Sequence, residues 1–130
     1  MIVDSSALVA ILLAEPGHDA LLDALLAAPR VGVGAATLVE TGVVLSVRLG
    51  DRGRSLLARF VAEAAIEVVP FTEEHHAVAL SAWSRFGRGR HPAALNFGDC
   101  LTYAVADVAG RPLLCVGRAF PATDLALALP

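Results

Sequence analysis

Three acids have neighbours that suit them to chemistry. Asp4 follows the short apolar run Met1-Ile2-Val3, Glu40 follows Thr37-Leu38-Val39, and Asp99 closes Asn96-Phe97-Gly98. In an open parallel sheet, ligands bind beyond the carboxyl ends of the strands, where helix N-termini also gather. Asp4 ends a predicted first strand. Glu40 and Asp99 fall in the first turns of helices predicted to begin near Thr37 and Asn96, so all three acids are expected at one sheet edge. Singly, each has a structural explanation: Thr37 to Glu40 and Asn96 to Asp99 have capping-box spacing, and Asp4 can cap the helix beginning at Ser6. Together they would repel one another unless a cation neutralised them. A hard divalent ion, Mg²⁺ or Mn²⁺, takes a few carboxylates plus waters and leaves positions open for a phosphate oxygen. Such a site hydrolyses phosphodiesters without a nucleophilic side chain. Ser6 and Asn96 are placed to support the ligand carboxylates.

Basic residues lie close to Asp99 in sequence. Arg85, Arg88, Arg90 and His91 fall within or beside the Gly87 to Pro92 loop and are expected to overhang the acids, where they could contact nucleic-acid phosphates. A solvated arginine loop is the plain alternative. His75 and His76 are expected on a helix surface, and Trp83 in the core or a dimer contact.

These residues need a scaffold. Short apolar stretches at Met1–Val3, Val31–Val33, Ile66–Val69 and Leu113–Val116 read as strands, with a further one within Leu125–Leu129. Helical patterns fill Ser6–Leu13, His18–Ala28, Thr37–Leu49, Asp51–Ala65, Thr72–Phe86 and Phe97–Ala109, with breaks at Glu15-Pro16-Gly17, Pro29 and Gly110-Arg111-Pro112. Strands of about four residues alternating with helices of ten or more predict a parallel sheet covered on both faces.

The totals bound the reading. At 130 residues the chain is one domain of ordinary size, 1–130. Hydrophobic residues make up 56% and aromatics 5%, so the core is built from Ala, Val and Leu. A mean hydropathy of +0.66 suggests apolar surface covered by a partner, most simply a second copy. The net charge of −3 excludes a broadly basic nucleic-acid binder and leaves a local patch or a metal to make any such contact. Cys100 and Cys115 have no zinc-like spacing and are expected as buried thiols of a reducing, cytoplasmic setting. The first residues lack the basic start of a signal peptide, and no stretch reaches a membrane span.

The segments Met1-Ile2-Val3-Asp4-Ser5-Ser6-Ala7-Leu8-Val9-Ala10 and Gly87-Arg88-Gly89-Arg90-His91-Pro92-Ala93-Ala94-Leu95-Asn96-Phe97-Gly98-Asp99-Cys100, with Glu40 between, resemble the VapC toxins of bacterial toxin–antitoxin pairs. The likeness spans nearly the whole chain, and its Asn-Phe-Gly-Asp-Cys block is the most specific part. It implies a PIN domain, a Rossmann-like three-layer sandwich with a short, mainly parallel sheet. It further implies an RNA-cutting activity directed at sites such as tRNA or rRNA, a homodimer, and inhibition by a VapB antitoxin. One departure stands out. Related toxins carry a further acid in a Gly-x-Asp-Phe segment, whereas this chain reads Gly117-Arg118-Ala119-Phe120, followed by Thr123-Asp124; Asp124 is the candidate fourth catalytic acid and can equally cap a terminal turn. The alternative is therefore a PIN-like binding protein that lost turnover with the missing acid. A haloacid-dehalogenase-like phosphatase is excluded because its second Asp is Ser6 here. Gly32-Val33-Gly34 is too incomplete for a dinucleotide fingerprint.

Overall fold

A computed structural model describes residues 1–130. Four parallel strands lie in the order β3-β2-β1-β4: β1 Ile2–Val3, β2 Gly32–Gly34, β3 Glu67–Val69 and β4 Leu113–Leu114. Six helices connect and cover them: α1 Ser5–Leu12, α2 His18–Ala27, α3 Ala35–Leu49, α4 Asp51–Glu63, α5 Glu73–Phe86 and α6 Phe97–Ala109. This is the expected α/β sandwich.

The strands are short because each supplies only one or two residues to each face. Ile2 and Leu113 point into a core completed by Ala82, Phe86, Leu95, Tyr103 and Val105 from the α5–α6 side. Their neighbours Val3 and Leu114 point into the opposite core with Leu8, Leu21, Leu25 and Val33. Alternation of side chains across a strand gives this division directly. Ile2, Val3, Leu113 and Leu114 are completely buried, so the centre of the sheet is apolar on both sides.

Several boundaries differ from the sequence reading. Helix α3 starts at Ala35, capped by the backbone of Gly34, so Thr37 is no N-cap and Glu40 lies beyond the first turn. The chain can turn there because Gly34 leaves room: a Cβ would meet Val105 Cγ2 of α6 at 3.1 Å and Thr37 Oγ1 at 3.3 Å. Strand β4 ends at Leu114, two residues early. The strand expected within Leu125–Leu129 reduces to one parallel bridge, Leu113 to Leu127, after a short 3₁₀ turn at Phe120–Ala122. His75 is buried, against expectation. Its Nδ1 accepts from the Thr72 backbone N–H at 3.0 Å, closing a capping box at the start of α5 while its ring packs on Phe71. No helix is long and apolar enough to cross a membrane.

Candidate active site

The carboxyl edge of the sheet brings Asp4, Glu40 and Asp99 together from three elements. Asp4 follows β1 directly and caps α1. Its Oδ2 accepts from the Ser6 backbone N–H at 3.0 Å and from the Ser6 hydroxyl at 2.6 Å. The Ser6 oxygen in turn accepts from the Val116 N–H at 3.0 Å, which ties the loop after β4 to the same point. The other oxygen, Asp4 Oδ1, accepts from the Thr102 hydroxyl at 2.9 Å. Asp4 is only 4% exposed, and all its donors are uncharged.

Glu40 reaches the site from the second turn of α3. The Ser5 hydroxyl donates to its Oε1 at 2.8 Å, and its Oε2 lies against the Cα of Gly98, where a Cβ would collide with it. Asp99 sits in the first turn of α6 in a reciprocal cap. Its N–H donates to Asn96 Oδ1 at 2.8 Å, and its Oδ2 accepts from the Asn96 N–H at 2.9 Å. Ser6 and Asn96 thus each hydrogen-bond one of these acids. Ser5, Thr102 and Gly98 are additions. Their partners are distant in sequence, and no local pattern marks them.

Burial leads the electrostatics at Asp99, and like charge adds to it. Burial first, and then the charges of Asp4 and Glu40, hold Asp99 above the usual carboxylate value of 3.8, against the opposing pull of the Asn96 amide and Arg88. The same field reaches the half-buried Cys115. Its thiol is pushed up to about 11 by burial, with Asp4 and Asp99 adding to the effect. Neither cysteine is in a disulfide, and Cys100 is likewise raised, chiefly by burial. None of the chain's ion pairs involves Asp4, Glu40 or Asp99.

No group of three or more acid, histidine or cysteine side chains is drawn into finished ligating geometry. Convergence is therefore looser than the sequence suggests, because each carboxylate is held by its own hydroxyl or amide donors. The donor set nevertheless fits a hard divalent ion. It consists of oxygen ligands alone, carries net negative charge with no internal counter-charge, and includes one carboxylate already destabilised in its ionised form.

Asp124 has partners of its own. It accepts from Arg85 at 2.6 Å through Oδ2 and from the Tyr103 hydroxyl at 2.6 Å through Oδ1. The Tyr103 bond, followed by Arg85, holds its carboxyl below the ordinary range, while burial and Asp124 push Tyr103 up to about 12. Asp124 is thus already paired with a cation. These bonds form a clamp that joins α5, α6 and the C-terminal segment through the acid that the sequence offers as a fourth catalytic candidate. Asp124 does not cap the terminal turn, since Thr123 Oγ1 makes the local contacts to Phe120 and Leu125.

The basic residues also separate. Arg88 contributes to the field at Asp99. Arg85 belongs to the Asp124 clamp, and the Arg90 guanidinium lies 4.1 Å from the centre of the Trp83 ring. His91 accepts from the Ala93 N–H at 3.1 Å and packs edge-on to Phe86, so it orders the loop. A single patch overhanging the acids is not formed. Trp83, at 42% exposed, is not core. With Leu80 and Phe97 it lines an apolar cavity of about 490 Å³ between α5 and α6.

A short parallel sheet between two helical layers, with three acids at its carboxyl edge, defines the PIN class, and the PIN domain family model matches residues 1–125. Ribonuclease VapC36 of Mycobacterium tuberculosis is 47% identical over 126 residues, covering 96% of this chain and 91% of that one. The crystal structure of VapC20 of the same organism, a toxin described as cleaving the sarcin–ricin loop, superposes with a TM-score of 0.79 at 21% identity, covering 96% and 95% of the two chains. A VapBC2 complex from Rickettsia felis bound to a promoter DNA fragment gives 0.77 at 13% identity, covering 97% and 94%. The chain belongs to the PIN-domain family and, within it, to the VapC ribonuclease toxins.

Proposed function

We propose that this protein is a divalent-metal-dependent ribonuclease whose site is Asp4, Glu40 and Asp99, and that it acts as the toxin of a VapB–VapC pair. The observation that carries the reading is Asp4. It is a buried carboxylate with three neutral donors and no ion-pair partner, and its charge acts on Asp99 together with that of Glu40. A stability-driven interior would pair such a charge or replace it. Here the unpaired charge is free to bind a cation.

Asp4, Glu40 and Asp99 would hold Mg²⁺ or Mn²⁺. When bound, the ion supplies the positive charge that polarises a phosphoryl oxygen, activates water and stabilises the leaving oxygen. The chain's own residues aim the carboxylates: Ser6 and Thr102 fix Asp4, Ser5 and the bare Cα of Gly98 fix Glu40, and Asn96 fixes Asp99. Arg88 is the basic side chain placed to hold an incoming phosphate. With Asp124 in its clamp, three acids rather than four serve the site.

The substrate we infer is cellular RNA of the tRNA or rRNA kind, VapC20 being described as cleaving the sarcin–ricin loop. That places the work in the cytoplasm, in keeping with two free thiols. Two apolar faces are left for partners. Leu80, Trp83 and Phe97 form one, suited to a second copy of the chain. Val39, Val43 and Val47 form a ridge along α3 that ends beside Glu40 and suits an antitoxin segment able to lay a basic side chain on the acids. The experiment is cleavage of total cellular RNA by purified protein with Mg²⁺, Mn²⁺ or EDTA, beside Asp4→Ala, with the cut ends sequenced. Discrete metal-dependent cuts that the variant loses by more than about 100-fold are expected. Tight antitoxin binding without cleavage under any metal would instead support an inactive binding protein.

A further inference from the structure

We propose that Thr102, backed by Thr37, is a positioning residue for Asp4, locking this carboxylate in register with the elements that carry the other two acids. The inference rests on the metal-dependent reading above and deepens it.

Ser6 is only two residues from Asp4, so its bonds to Oδ2 make a local turn that moves with α1. The bond from Thr102 to Oδ1 differs because it crosses 98 residues of sequence and comes from α6. A hydroxyl has one proton. Thr102 gives its proton to Asp4, so in the 2.9 Å contact between Thr37 and Thr102 the donor must be Thr37. The order Thr37 to Thr102 to Asp4 follows without ambiguity.

The positions of these hydroxyls matter as much as their bonds. Thr102 lies three residues after Asp99 on α6, and Thr37 three residues before Glu40 on α3. Two hydroxyls therefore join β1, α3 and α6, each of which delivers one acid. Thr37 and Thr102 are 3% and 2% exposed, and Gly34 lets α3 approach α6 closely enough for the contact. Valine would fill the same space in a dry interior and bury no polar atom, since a hydroxyl there costs stability unless bonded. Two threonines, satisfied only by each other and by Asp4 across this path, mark a site aligned for function.

The test is Mn²⁺ binding by calorimetry on the full-length protein, with thermal melting and RNA-cleavage kinetics alongside. Thr102→Val is expected to weaken Mn²⁺ affinity about 10-fold or more. Its kcat should fall while KM for RNA stays close to wild type, and the melting temperature should drop modestly because Asp4 Oδ1 and the Thr37 hydroxyl each lose a buried partner. Thr102→Ser, which keeps the hydroxyl, should recover most of the affinity, and Thr37→Val should show a smaller loss in the same direction. Wild-type Mn²⁺ affinity in Thr102→Val, or equal impairment in Thr102→Ser, would overturn the proposal. If Thr102→Val does not fold, the comparison of Thr37→Val with Thr102→Ser decides, and unchanged affinity in Thr37→Val overturns it. A wild-type protein that binds no Mn²⁺ would bring down the metal reading itself, and this inference with it.

Discussion

Asp99→Asn is expected to abolish RNA cleavage and at the same time raise the melting temperature of the metal-free protein. The two effects share a cause. Burial and the charges of Asp4 and Glu40 penalise ionised Asp99 in the fold, so its folded pKa lies above its unfolded one. A group shifted this way stabilises the fold in its protonated form, and that contribution is lost as pH rises through the folded pKa. At neutral pH the wild type therefore carries the full penalty. Asparagine removes it and keeps an acceptor for the Asn96 N–H that Asp99 Oδ2 now receives at 2.9 Å. The stability advantage of the variant should be largest at neutral pH and shrink on acidification toward the Asp99 pKa, as wild-type Asp99 itself becomes neutral. Added Mn²⁺ should reverse the order by stabilising the wild type and leaving Asp99→Asn nearly unmoved. Melting curves across pH, with and without Mn²⁺, read both effects. A variant that melts lower than wild type at neutral pH without metal would show that the acids are not in electrostatic conflict.

Gly98→Ala is expected to cut cleavage by about 10- to 100-fold without loss of stability. Alanine in a helix is ordinarily preferred to glycine by up to about 1 kcal/mol. The obstacle at this position is functional: the new methyl would occupy the space of Glu40 Oε2. Because that oxygen is the free end of a flexible side chain, it can move away at little cost to the fold. Moving it breaks the placement set by Ser5 at 2.8 Å. Undiminished cleavage in a well-folded Gly98→Ala protein would mean that Glu40 is not needed where it lies.

The fold was legible because its signals are local. Alternation of short apolar strands with long helices predicts the parallel sheet, and the paired faces of Ile2 and Val3 realise it. The Asn96–Asp99 cap could be read for the same reason, both partners lying within one turn. What the sequence hid is mostly long-range. The Ser5–Glu40 bond spans 35 residues, the Thr102–Asp4 bond 98, and the Arg85–Asp124 pair 39. Only coordinates reveal that Arg85 is spent on Asp124 and that Arg90 rests on Trp83, so the loop's apparent basic cluster resolves into one residue near the acids and three engaged elsewhere. Thr37 misleads because a Thr-x-x-Glu spacing mimics a helix start, whereas Gly34 begins α3 earlier and turns Thr37 inward. His75 misleads in the opposite sense. The Thr72-x-x-His75 spacing is itself a cap signal, outweighed in sequence by the polar look of the segment.

The account turns on whether the three carboxylates share a divalent ion. Its most direct test is a crystal structure of the protein soaked with Mn²⁺, recorded at a wavelength where manganese scatters anomalously. The account predicts an anomalous peak within about 2.0–2.2 Å of oxygens from Asp4 and Asp99, with Glu40 bound directly or through water, and none in Asp99→Asn. No peak at saturating Mn²⁺, or a peak at Asp124 and not among these acids, would contradict it.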